Sequence, residues 1–118
     1  MTQPADDAGV AVAEVVVREA PAKYRFEIWV GDELAGFTTY RRQPDQYTFM
    51  HTEIDSAFGG RGLASILIKA ALDEMRARGA AVLPQCPFVR RYISLHEDYL
   101  DLVPARHRKE YDLPEVEA

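Results

Sequence analysis

Polar and apolar residues alternate early in the chain: Tyr24, Phe26, Ile28 and Val30 are separated by Arg25, Glu27 and Trp29. A period of two residues marks a strand with one face buried. The same period returns over residues 34–42, with Leu34, Gly36, Thr38 and Tyr40 on one face and Ala35, Phe37 and Thr39 on the other. It returns again over residues 47–54. Gly31-Asp32-Glu33 and Gln43-Pro44-Asp45-Gln46 have the composition of tight turns, so the three runs form an antiparallel meander. Upstream, Val12, Val15, Val16 and Val17 predict a further strand in the second half of residues 10–17, broken by Ala20-Pro21-Ala22.

Beyond residue 62 the period lengthens. Leu63, Ile66, Leu67, Ala70, Ala71, Leu72 and Met75 recur at three- and four-residue spacings, opposite Lys69, Asp73, Glu74, Arg76 and Arg78. This is an amphipathic helix, and Gly79 is its C-cap. Residues 80–83 are too few and too apolar for anything but a short buried strand. A strand, a crossover helix and a strand imply that the last lies parallel to the one before the helix. A second helix runs from Pro87, well suited to a first helical position, to about His96. Residues 95–103 read as a turn and an irregular packing segment. The pattern therefore predicts an α/β fold: a mixed sheet of about five strands, an antiparallel meander followed by a parallel β-α-β pair, with two main helices. Residues 1–9 are small and polar and read as a loose tail, residues 10–103 as the folded domain. Residues 104–118, with Arg106-His107-Arg108-Lys109 and then Glu115 and Glu117, read as a charged, solvated tail.

At 118 residues, 47% apolar and 28% charged, the chain can bury one core. It has no apolar run near the roughly 20 residues of a membrane span, and no basic and apolar leader. A net charge of −5 argues against general affinity for nucleic acid. The single cysteine rules out an internal disulfide and fits a reducing compartment. These features together predict a cytoplasmic protein with neither nucleic-acid nor membrane partners. His51, His96 and His107 share no ligand spacing, and one cysteine supplies none, so no metal site is expected. A Gly-x-Ser-x-Gly elbow is also missing.

The chemistry concentrates where the two periods meet, at Gly59-Gly60-Arg61-Gly62-Leu63-Ala64. A glycine-bearing turn between a strand and a helix leaves backbone N–H groups pointing outward at the positive end of the helix dipole, which suits a phosphate. The spacing fits neither a P-loop nor a dinucleotide fingerprint. It resembles the acetyl-CoA pyrophosphate loop of the GNAT superfamily of N-acetyltransferases, whose core is Gln/Arg-x-x-Gly-x-Gly/Ala. Gly59 stands where that family has Gln or Arg, which removes one contact and leaves the backbone contacts. Further along, Pro84-Gln85-Cys86-Pro87-Phe88-Val89, then Tyr92-Ile93, then His96-Glu97-Asp98-Tyr99 follow in the same order as in the small, single-domain members. The resemblance spans roughly residues 15–103.

It implies acetyl-CoA bound at a splay between the fourth and fifth strands, with Thr52, Glu53 and Ile54 along the strand side of the pantetheine. The pyrophosphate then lies on Gly59, Gly60, Arg61, Gly62, Leu63 and Ala64, where Arg61 adds a charged contact. Three residues are candidates for the chemistry. Cys86 ends the fifth strand just before a helix, where a thiolate is favoured. It either accepts the acetyl group as a nucleophile or lines the pocket. Glu53 and His51 share one face of the fourth strand, with Thr52 on the other, and either suits a base for an attacking amine. Tyr92 and His96 share a helix face, Tyr92 for packing and His96 as a polar contact. Trp29, Phe37 and Tyr40 are core or groove-wall aromatics. The implied function is transfer of acetyl from acetyl-CoA to a primary amine, on a small molecule or a protein lysine, directly or through Cys86. The alternatives are a non-catalytic CoA-binding module acting as sensor or partner protein, and a cysteine-dependent hydrolase of CoA thioesters.

Overall fold

The computed structural model describes residues 14–114; the predicted tail over residues 1–9 lies outside them. Five strands form one sheet in sequence order: β1 (Val15–Ala20), β2 (Arg25–Val30), β3 (Glu33–Gln43), β4 (Gln46–Ile54) and β5 (Ala81–Pro84). The first four pair antiparallel, and β5 lies parallel to β4. Helix α1 (Leu63–Arg78) and helix α2 (Pro87–Leu95) pack together on one face. The expected mixed sheet with its parallel pair is thus the observed one. No helix among the described residues is long and apolar enough to cross a membrane.

The period-two pattern places Phe26, Ile28, Thr38, Tyr40, Tyr47 and Phe49 on the helix-covered face, all buried. Two bulges modify it. Ile28 pairs with Gly36 but Trp29 pairs with Leu34, so Ala35 is an extra residue, and it turns fully inward where alternation expects Leu34. In β4, Thr39 pairs with His51 and Tyr40 with Phe49, which leaves Met50 unpaired. A bulge shifts side-chain parity along its strand, so alternation alone misassigns the faces beyond it. The valine run also misjudges β1: pairing of Arg18 with Glu27 and of Glu19 with Phe26 carries the strand to Ala20.

In α1 the sheet contacts select Leu63, Leu67, Ile68, Ala71, Leu72 and Met75 for burial, while Ile66, expected on that face, is 44% exposed. Burying each Leu or Ile side chain is worth about 1.5–3 kcal/mol, so packing sets the helix phase. Residues 105–114 depart from the solvated tail that the charges of this segment predict; Glu115 and Glu117 lie outside the described residues. Helix α3 (Ala105–Arg108) is followed by a 3-10 turn at Lys109–Tyr111, and Arg108, Tyr111 and Leu113 are buried. The Gln85 side-chain amide donates to the Tyr111 hydroxyl at 3.0 Å, and the Arg90 guanidinium lies over the Tyr111 ring. Two apolar anchors within a charged run suffice to dock it beside the start of α2.

A polar clamp joins β1 to the end of α1. Arg78 pairs with Glu19 and Glu74 and donates to the Tyr47 hydroxyl, while the Tyr40 hydroxyl donates to Glu19. Burial works against the Glu19 carboxylate, but its bonds from Arg78 and Tyr40 outweigh this and hold its pKa below the usual value. The unfolded chain therefore takes up this proton first as pH falls. The clamp contributes fully above about pH 4.5 and is lost as pH drops through the lowered folded value. Glu19→Gln should cost about 1–2 kcal/mol at pH 7. In urea titrations that deficit should shrink towards zero below about pH 4; a deficit that stays constant to pH 3 would contradict the assignment.

Candidate active site

β4 and β5 pair only from Gln46 to Phe49 against Ala81 to Pro84. Beyond that point β4 continues to Ile54, while the other arm turns away into α2. The last tie is the Cys86 N–H, which donates to the Phe49 carbonyl at 2.8 Å. The two strands therefore make a fork with its apex at Phe49 and Cys86. The bulge at Met50 lies just past that apex. The Asp55 N–H donates to the Ala35 carbonyl, and the His51 carbonyl accepts from the Thr39 hydroxyl, so these odd-numbered residues face β3. Main-chain groups alternate sides along a strand. Thr52 and Ile54 consequently turn their N–H and C=O groups toward the fork.

The loop after β4 begins with Asp55, whose carboxylate accepts from the Ala57 N–H at 2.9 Å and caps a 3-10 turn at Ser56–Phe58. Gly59 is extended, and Gly60 and Gly62 have φ of +78° and +72°. Gly62 is the N-cap of α1, yet it offers no side-chain cap, and the first turn carries no acid. Helix N-termini leave their first N–H groups without intrahelical partners, so those of Leu63, Ala64 and Ser65 are available to an anion. The Leu63 side chain is buried, leaving only its main chain for that role. Arg61 lies over the Phe58 ring at 5.2 Å and makes no ion pair among the described residues. These features suit a pyrophosphate.

Cys86 is the N-cap of α2 and is 3% exposed. Its sulfur lies 3.3 Å from the Thr52 hydroxyl, which lies 2.9 Å from the hydroxyl of fully buried Thr38. His51 and Glu53 occupy the other face of the sheet, 3.1 Å apart and both exposed. The structure thus brings Thr52 to Cys86 and His51 to Glu53, and sets the two pairs on opposite faces of β4. Beside Glu53 is a notch of about 110 Å³ lined by Leu34, Ala35, Gly36, Phe37, Glu53 and Asp55. Gly36 is required there because a Cβ would fall on the Glu53 carbonyl and the Ile54 side chain.

Tyr92 is buried and stacks on the His96 ring at 3.9 Å, and His96 Nδ1–H donates to the Tyr92 carbonyl. Burial raises the Tyr92 phenol pKa. His96 thus closes α2 as its C-cap. Trp29 and Phe37 lie on the uncovered face, the first donating to Glu27, the second beneath Arg25. Thr38 stands at an inward position among buried residues of the sheet. No group of three His, Cys, Asp or Glu residues suited to a metal occurs among the described residues.

A family model described as GCN5-related N-acetyl-transferase matches residues 25–102. The chain belongs to that family. It is accordingly an acetyltransferase of the GCN5-related type, and its matched segment runs from β2 to the packing turn after α2. An NMR solution structure of a GCN5-like protein from Staphylococcus aureus has the same fold. Its TM-score is 0.58 at 21% identity, covering 80% of this chain and 90% of that one. A crystal structure of ribosomal-protein-alanine N-acetyltransferase from Brucella melitensis is 21% identical, covering 63% of this chain and 58% of that one. Its TM-score is 0.49, too low to bear on the site. No curated protein matches the chain at a significant level.

Proposed function

We propose that this GCN5-related acetyltransferase moves acetyl directly from acetyl-CoA to a primary amine, with the thioester in the fork between β4 and β5. The observation that carries this is the fork itself. It opens at Phe49 and Cys86, exposes the main chain of Thr52 and Ile54, and ends at the uncapped, glycine-bearing start of α1. Residues 59–64 hold the pyrophosphate, with Arg61 as a charged contact. The acceptor approaches on the helix-free face, where Glu53 takes the ammonium proton and His51 supports it. The amine lone pair forms the C–N bond, the C–S bond breaks with its electron pair going to sulfur, and the second proton lost from nitrogen ends on that sulfur as free CoA thiol.

Direct transfer is favoured over an acetyl-Cys86 relay because the thiol is buried and its one polar side-chain partner among the described residues is a hydroxyl, which is no base. Cys86 serves as a wall of the fork. Cys86→Ala should therefore keep kcat within about tenfold of the parent, whereas a covalent relay predicts its near-complete loss. Alkylation of Cys86 by iodoacetamide should be slow and should slow further with CoA. The function is tested by following release of free CoA from acetyl-CoA with a panel of primary amines, including a lysine peptide. Amine-dependent release with an acetylated product in the mass spectrum supports it. Tight CoA binding without turnover on any amine would leave a binding module, and amine-independent release would indicate a hydrolase.

A further inference from the structure

Six arginines lie over aromatic rings among the described residues. Four of them have oxygen partners as well: Arg25 pairs with Glu27, Arg76 with Asp101 and Arg78 with Glu19, and Arg90 donates to the Gln85 carbonyl. Among the described residues, Arg18 and Arg61 have the ring alone. Arg18 is on β1, at the far edge of the sheet, whereas Arg61 stands in the glycine loop that leads from β4 into α1. Its guanidinium carbon lies 5.2 Å from the centre of the Phe58 ring, and Gly59 and Gly60 between them carry no side chain that could hold it. Phe58 is itself fixed. It packs against the core half-buried and ends the 3-10 turn, which is tied by the Phe58 N–H donating to the Asp55 carbonyl at 2.8 Å and the Ala57 N–H to the Asp55 carboxylate.

We propose that Phe58 is a positioning residue for the cofactor: its ring holds the Arg61 guanidinium at the loop, in place for the pyrophosphate before CoA arrives. This rests on the reading of residues 59–64 as the pyrophosphate site. An arginine is always charged, and its long side chain loses freedom when it grips a phosphate. The electron-rich face of a ring attracts the cation and restricts that freedom in the free protein, so less remains to be lost on binding. A ring face also leaves the in-plane N–H groups of the guanidinium open to phosphate oxygens. A carboxylate partner would do the reverse, occupying those donors and cancelling the charge, and among the described residues none pairs with Arg61. Phe58 acts only through Arg61.

A double-mutant cycle on CoA affinity, read by isothermal titration, isolates this coupling. Arg61→Gln should raise the Kd for CoA about tenfold. Phe58→Leu keeps an apolar anchor and removes the ring face. It should raise Kd about threefold while Arg61 is present and leave it unchanged in the Arg61→Gln background. Phe58→Trp should bind CoA at least as tightly as the parent, because indole holds a cation best. A residue that only packs the turn would weaken binding equally in both backgrounds, and that result overturns the proposal. So does an unchanged or lowered Kd in Phe58→Leu alone, the latter showing that the ring competes with the phosphate for Arg61. Should Phe58→Leu fail to fold, Phe58→Met fills the same space and enters the same cycle with the same outcomes. If the parent binds no CoA, or neither Arg61→Gln nor Gly62→Asp weakens it, the pyrophosphate site is wrong and the role of Phe58 falls with it. If both weaken binding and the Phe58 and Arg61 losses simply multiply, the site stands and only the role of Phe58 falls.

Discussion

Gly62→Asp should weaken CoA binding about a hundredfold while the protein stays folded. Gly62 is the N-cap of α1 at φ +72°, and a Cβ there meets nothing within 4 Å. Aspartate also tolerates this conformation better than most residues. At φ +72° any side chain carries some strain, so the fold of the variant is checked by circular dichroism beside its binding. The loss falls on the ligand. A carboxylate at this position competes for the N–H groups that would hold the pyrophosphate and repels its charge. An anion at a helix N-terminus gains up to about 2 kcal/mol, and like charges near 4 Å cost about 4 kcal/mol at a surface-type dielectric. Even a partial loss of 2–3 kcal/mol is a factor of roughly 30 to 150. Gly62→Asn separates the causes, because it caps the helix without charge and should weaken binding only about tenfold. Isothermal titration with CoA measures both. Parent-like affinity in folded Gly62→Asp would place the pyrophosphate elsewhere.

Glu53→Gln should lower kcat by about a hundredfold with little change in KM for acetyl-CoA. A primary amine with a pKa of about 10.4 is neutral in only about one molecule in 2,500 at pH 7, so removing its proton is a large part of the barrier. Glu53 is exposed on the helix-free face, next to His51 and at the edge of the Leu34–Phe37 notch, where an incoming ammonium would meet it. The glutamine variant keeps the shape and loses the base. Its rate should then follow the neutral amine, climbing close to tenfold per pH unit between about pH 7 and 9. The parent should respond more weakly. His51→Asn should cost less, because His51 touches the carboxylate rather than standing in for it. If Glu53→Gln matches the parent and His51→Asn is inactive, the base is His51.

The element sequence was legible because burial leaves a period. Alternation at Phe26 and Ile28 and the three-and-four spacing from Leu63 to Met75 follow from strands and helices each turning one face to a core. One helix between two strands leaves them parallel. The Gly59–Ala64 loop was legible for a related reason: positive φ at Gly60 and Gly62 restricts those positions to few residue types. Pairing across strands leaves no such local trace. The bulge at Met50 exists because of what β3 and β5 do, and it decides that Thr52 and Ile54 face the fork while His51 and Glu53 face away from Cys86. Spacing in sequence could put Glu53, His51 and Cys86 on one list of reactive residues, but only the folded sheet sets them on opposite faces. The Thr38–Thr52–Cys86 chain is of the same kind, since it joins β3, β4 and the start of α2 through side chains 14 and 34 residues apart. The docked C-terminal segment is another, because Tyr111 and Leu113 become anchors only once Gln85 and Arg90 stand beside them. Local period and backbone conformation were thus set by the sequence directly, whereas every relation between distant residues awaited the sheet register that brings them within bonding distance.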